Sequence, residues 1–192
     1  MNMETSLLSY LKGQMLMAMP SLKDPNFSQT VTCICEHTEA GALGIVINRI
    51  HPFISAKEIF NELKIDYKTE AESINIFVGG PVHMGELFIL HGPPFDWEGC
   101  VNITPTLALS NTRDILESIA RGEGRVNSFL IALGCAGWGQ FQLESELSAN
   151  AWLTGPVANE LVFDVPIELR WDRALELIGI DPMKLTDAAG NA

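Results

Sequence analysis

The stretch VNSFLIALGCAGWGQFQLESEL, Val126 to Leu147, decides how this chain is read. Its first half is an almost unbroken apolar run, as in a strand covered on both faces. Its second half, QFQLESEL and onward to NAWL, reads as a helix. The junction between them, Gly134 to Gly139, holds small residues, glycines and Trp138. Such a loop can cradle phosphate when successive N–H groups and a helix N-terminus converge on the anion. The usual companions are missing: no Lys-Ser/Thr pair follows, the spacing is not Gly-x-Gly-x-x-Gly, and Glu144 and Glu146 come next. The junction is therefore expected to be a tight turn of strand into helix, with Trp138 as a buried anchor beneath it. A nucleophilic Cys135 would need His37, His51, His83 or His91 as its base, and the bland reading, a buried inert thiol, is preferred.

Outward from this stretch, TVTCICEH and GALGIVINR are two β-branched runs separated by TEAG, an antiparallel hairpin. GQMLMAMP is a strand ended by Pro20, followed by a turn at Asp24-Pro25, and a short helix is expected around Ser6 to Leu11. SAKEIFNEL opens with Ser55 three residues before Glu58, the spacing of a capping box. SINIFVGG and GELFILHG read as strands flanking the turn GGPVHMG, and VNITPTLALSN continues extended. NTRDILESIARGEG is a helix capped near Asn111 or Thr112. ELVFDVP is expected as a brief strand, and PIELRWDRALELIG as a last helix with Leu169, Ala174, Leu175 and Ile178 inward. Strands in clusters rather than in alternation with helices predict an α+β domain with a largely antiparallel or mixed sheet, its helices covering one side.

Length and composition are those of one domain, residues 1–192, with 47% hydrophobic residues. Twenty-four acidic against 12 basic residues give a net charge of −12, a field that repels nucleic-acid backbones and anionic lipids. The start, MNMETSLLSYLKG, has neither a basic region nor a long apolar stretch, and no run reaches the roughly 18 apolar residues of a membrane span, so a cytoplasmic protein is expected. Cys33 and Cys35, two apart, share one face of a strand rather than curling around a metal, and are read as core; the four histidines lack metal-type spacing. No cofactor is called for by these residues.

The order of several segments resembles the AlgH/YqgE family of bacterial proteins: GQMLMAMPSLKDPNF, EHTEAGALGIVINR, VGGPV with Leu90-His91, ALGCAGWGQFQLESEL, NAWL and VFDVPIELRWDRAL. The resemblance spans nearly the whole chain. It departs from the family pattern at Cys135, where an aromatic is usual, and at Phe141, where glycine is usual. It implies a single α+β domain with a bulged sheet, no established catalysis or cofactor, and a role in controlling gene expression. The acidic balance and the lack of a helix-turn-helix pattern argue against direct contact with DNA.

Arg49, His83, His91, Gly137 and Trp138 are the candidate ligand-contacting residues. Arg49 is able to fix an anion bidentately, but pairing with Glu144 to hold the glycine segment against the hairpin is the preferred reading. The function expected is a non-catalytic binding or regulatory protein for a protein or small-molecule partner. The alternative is a hydrolase or transferase whose pocket is formed where VGGPVH, LHGPP and GCAGWGQ converge.

Overall fold

The computed structural model describes residues 10–185. Ten strands form one sheet: β1 (Gln14–Ala18), β2 (Val31–Thr38), β3 (Gly41–Val46), β4 (Ile50–Ser55), β5 (Asn75–Val78), β6 (Val82–His91), β7 (Val101–Thr104), β8 (Leu107–Ser110), β9 (Phe129–Gly139) and β10 (Trp152–Pro156). Five helices join them: α1 (Ala56–Glu62), α2 (Arg113–Ala120), α3 (Gln142–Ser148), α4 (Asn159–Phe163) and α5 (Arg170–Leu177). The main path runs β10-β1-β2-β3-β9-β6-β8-β7, with β4 on β5 and β5 on β9. Every pairing is antiparallel except β5 with β9, so the expected α+β fold with a largely antiparallel sheet is the one found.

Long apolar β9 is the hub because it has neighbours on both edges. Its first half pairs with β5 on one side and β6 on the other, and its second half pairs with β3. Side chains alternate as strand geometry demands. Leu130 and Ala132 join the core beneath α4 and α5, which includes Met15, Met17, Phe88 and Leu90. Ile131 and Leu133 point to the opposite core, under α1 and α2. At Gly134, φ +75°, the phase slips by one residue: Cys135 now faces the α4/α5 core, while Ala136 and Trp138 face a third cluster with Leu143 of α3 and Trp152. A left-handed glycine is what allows one strand to change faces without ending.

Several expectations need correcting. Helices cover both faces, because the alternating residues of β1, β5, β6 and β9 leave apolar side chains on each. The glycine segment is not a loop but the continuation of β9, and the helix begins only after Phe141, itself left-handed at φ 60°. The β2–β3 link is two residues, Glu39 and Ala40. Strands β5 and β6 do not pair with each other; they flank β9. The VNITPTLALSN segment folds back as the β7–β8 hairpin. ELVFDVP is helical as α4, where Asp164 N–H reaches the Glu160 carbonyl at 2.9 Å. NAWL enters strand β10, not the end of a helix. Leu169 is half-exposed, whereas Ala174 and Leu175 are buried as expected. The helix expected from Ser6 falls mostly outside the described residues.

Candidate functional site

The break in β9 has a counterpart in β6. Val82 pairs with Cys135 and the next pair is Leu87 with Leu133, so four residues, His83 to Glu86, stand opposite Gly134 alone. They are extruded as a wide bulge, with His83 left-handed at φ 51°. The bulge is possible because the preceding chain lies directly on β9: a Cβ on Gly80, φ +151°, would sit 2.3 Å from the Cys135 carbonyl carbon. Backbone is thus pressed on backbone at Gly79, Gly80 and Gly134, where an added Cβ would meet main-chain atoms of the neighbouring segment at 2.1, 2.3 and 2.6 Å.

The extrusion has a surface consequence. Met84 is 66% exposed, and Val82 and Leu63 are also exposed apolar residues. Between the bulge and α1 runs an open groove of about 590 Å³, walled by Ile54, Ile59 and Leu63 and floored by Leu87 and Leu133. Its edge carries Glu58 and Glu62. Glu58 closes the capping box on α1: the Ser55 hydroxyl and the Ser55 N–H both donate to its Oε2, and these bonds, the hydroxyl's first, hold its pKa below the usual carboxylate value. The groove is therefore an apolar trough with a fixed negative charge at its lip.

The five sequence candidates separate. His83 and Gly137 come to one seam: a Cβ on Gly137 would lie 3.1 Å from Val82 Cγ2, beside His83, whose Nδ1 is 3.1 Å from Glu86 Oε1. Trp138 is 5% exposed and donates from Nε1 to Glu146 Oε2 at 2.9 Å. Arg49 donates to the carbonyls of Pro25, Asn26 and Ser28 at 2.6, 2.8 and 2.7 Å, fastening the loop before β2. It does not meet Glu144. That carboxylate accepts from His37 Nε2–H at 2.9 Å, and His37 Nδ1 accepts from the Leu11 N–H, which places the ring proton on Nε2.

His91 stands at the opposite end of β6, paired with Phe129, so LHGPP lies apart from the seam where VGGPVH meets GCAGWGQ. The ring is wholly buried, donates from Nδ1 to the Gly92 carbonyl at 2.7 Å and accepts at Nε2 from the Ser110 hydroxyl at 2.9 Å. Burial pushes its pKa down and the Gly92 carbonyl acts the other way, leaving a neutral imidazole. Cys135 is buried in the core with Cys33 and Cys35; burial first, then Glu86, raises its thiol pKa. Among the described residues it makes no hydrogen bond with a histidine. No group of three or more His, Cys, Asp or Glu able to hold a metal occurs among them either.

The groove carries no local sequence signal because its walls come from Ile54, Ile59 and Leu63 and its floor from Leu87 and Leu133, segments joined only by the fold. Sequence reading also missed Arg170, a buried charge between apolar neighbours with nothing in the local pattern to distinguish it from the solvated face of a helix.

The chain is similar throughout to known proteins. An AlgH-like family model matches residues 15–183. A UPF0301 protein of Desulforapulum autotrophicum is 53% identical over 182 residues, covering 95% of this chain and 96% of the relative. A UPF0301 protein of Methylococcus capsulatus is 44% identical over 183 residues, with the same coverage of 95% and 96%. The solution structure of the AlgH protein from Pseudomonas aeruginosa, 41% identical, superposes with a TM-score of 0.79 over 99% of this chain and 100% of that one. A Corynebacterium diphtheriae protein, 18% identical, shares the fold at a TM-score of 0.67 over 91% and 89% of the two chains.

Proposed function

The chain belongs to the AlgH-like family, and from that premise we propose that it is a cytoplasmic, non-catalytic binding protein that docks another protein in the groove between α1 and the β6 bulge. The observation that carries this reading is the groove's composition: Leu63 exposed in its wall above a floor of Leu87 and Leu133, with Glu58 and Glu62 at the lip and Met84 exposed on the adjoining bulge next to lining residue Gly85. Its complement is an apolar segment flanked by lysine or arginine, steered by the chain's net charge of −12. Groups that a hydrolase or transferase would use, His91 and Cys135, are buried, and His91 is occupied by Gly92 and Ser110. An influence on gene expression, such as the AlgH resemblance implies, would pass through this partner rather than through DNA, whose phosphates the acidic surface repels.

No helix among the described residues is long and apolar enough to cross a membrane. The test is a photo-crosslinking residue placed at Met84 in the native host, with a second at exposed Lys184 as control. A discrete protein adduct from position 84 and not from 184 is expected. The same adducts from both positions, or none from 84, would sink the reading.

A further inference from the structure

Away from the groove, the N-terminal ends of the parallel strands β5 and β9 open together on a cavity of about 380 Å³, closed on its far side by α4 and the start of α5. Arg170 lines it and is 4% exposed. A buried guanidinium is ordinarily matched by a carboxylate, because the desolvation of a full charge is costly. Among the described residues Arg170 forms no ion pair. Its Nε donates to the Val165 carbonyl at 3.0 Å and its Nη1 to the Ile47 carbonyl, while Nη2 makes no hydrogen bond among the described residues. The head lies 5.5 Å over the Phe77 ring, which fixes the plane of the fork. Burial lowers the guanidinium pKa and Asp164 acts against that, yet arginine keeps its charge at any physiological pH.

The lining is the second observation. In a chain with twice as many acidic as basic residues, no Asp or Glu faces this cavity, and Arg170 is its one charged residue. Phe77, Phe129 and Phe163 supply flat apolar surface, and Ser73 and Asn75 stand exposed where the strands begin. The requirements of the Nη2 edge, unbonded among the described residues, and of the rings coincide: an oxyanion to accept from the guanidinium edge, and a planar apolar body to lie among the phenyl groups. We infer that the Arg170 cavity is a binding site for a small organic anion, a carboxylate or phosphate ester carried on a flat apolar group. The site is distinct from the α1 groove, and its existence does not depend on a protein docking there.

Titration of the full chain, followed by backbone and arginine Nε NMR resonances, tests this with four probes: phenyl phosphate, benzoate, inorganic phosphate and benzyl alcohol. Saturable shifts at Phe129, Phe163 and Arg170 are expected with phenyl phosphate or benzoate, and the tighter of the two identifies the anion class. Benzyl alcohol, the same ring without the charge, should bind about tenfold or more weakly, as the loss of a charge-assisted pair implies. Arg170→Met should weaken the anion by a similar factor while sparing benzyl alcohol. Ser73→Trp, which blocks the cavity from an exposed position and leaves Arg170 in place, should abolish both, and it decides the matter alone if Arg170→Met does not fold. The inference is overturned if neither anion gives saturable shifts in the parent, if benzyl alcohol binds as well as benzoate, or if folded Arg170→Met or Ser73→Trp binds the anions undiminished. Inorganic phosphate binding as tightly as phenyl phosphate would overturn the part played by the rings.

Discussion

The indole Nε1–H of Trp138 donates to Glu146 Oε2 across 2.9 Å, joining the last turn of α3 to the far end of β9. The same oxygen accepts from Trp152 Nε1–H at 2.8 Å, and Gln142 Nε2 donates to the other oxygen at 2.9 Å. One carboxylate thus unites two indoles that meet edge to face at 6.0 Å, with Phe27 stacked 6.0 Å from Trp138. Glu146 serves here as a structural acceptor, and Gly41 of β3, where a Cβ would sit 2.1 Å from the Trp138 carbonyl oxygen, lets β3 lie close against this end of β9.

Removing the ring should be severe. Trp138→Ala is expected to cost about 3 to 5 kcal/mol, as large-to-small core changes do. Glu146→Ala strands two indole donors and should cost about 1 to 3 kcal/mol for each that stays buried without a partner. Urea denaturation reads both, and an unchanged midpoint and slope for Trp138→Ala would return the segment to the category of a ligand loop.

His91 makes the fold sensitive to mild acid. Its folded pKa lies below the usual histidine value, so on acidification the unfolded chain takes up a proton before the folded one does. The contribution is whole above the unfolded pKa of about 6.5 and is lost as pH falls from there toward the lowered folded value. For one proton the slope cannot exceed about 1.4 kcal/mol per pH unit. His91→Gln, less stable at neutral pH, should show a flatter profile over that window. Identical profiles for the parent and the variant would remove His91 as the cause.

Cys135 should resist iodoacetamide in the native protein and react only after denaturation. It is buried among apolar neighbours, and both burial and Glu86 disfavour its thiolate. Half-exposed Cys100, with its sulfur 3.9 Å from His91 Nε2, should be the first thiol modified. Peptide mapping distinguishes them, and rapid native labelling of Cys135 would restore it as a candidate nucleophile.

Much of the fold was legible where local signals and tertiary demand agree. The β2–β3 hairpin, the Ser55–Glu58 capping box and the apolar run of β9 all follow from residues a few positions apart. The failures have a common cause, since each depends on a distant neighbour. Residues 161–163, Leu-Val-Phe, have strand propensity, but Ala158 to Val165 close on themselves against the core and wind into α4. Strand β10 contains Gly155 and Pro156, yet β1 supplies the partner that makes it extended. The face change at Gly134 shows only when β3, β5 and β6 are all in place beside β9. The candidate site was less legible still. His83 and Gly137 meet only because β6 bulges, and Arg49 was named without its three carbonyl acceptors, which are spread along a loop more than twenty residues earlier in the chain.

Docking of a protein partner in the groove beside α1 is decided by the affinity of the partner captured at Met84 for the parent and for Met84→Glu and Leu63→Glu. Both positions are exposed, so neither change should move the melting temperature appreciably, while Leu63→Glu adds negative charge within the apolar trough and Met84→Glu adds it on the bulge beside the trough. Each variant is expected to lose affinity by about tenfold or more, the factor that about 1.4 kcal/mol represents, and the parent to bind more weakly as salt screens the charges of Glu58 and Glu62. Equal affinity of both variants and the parent, at unchanged stability, would contradict it.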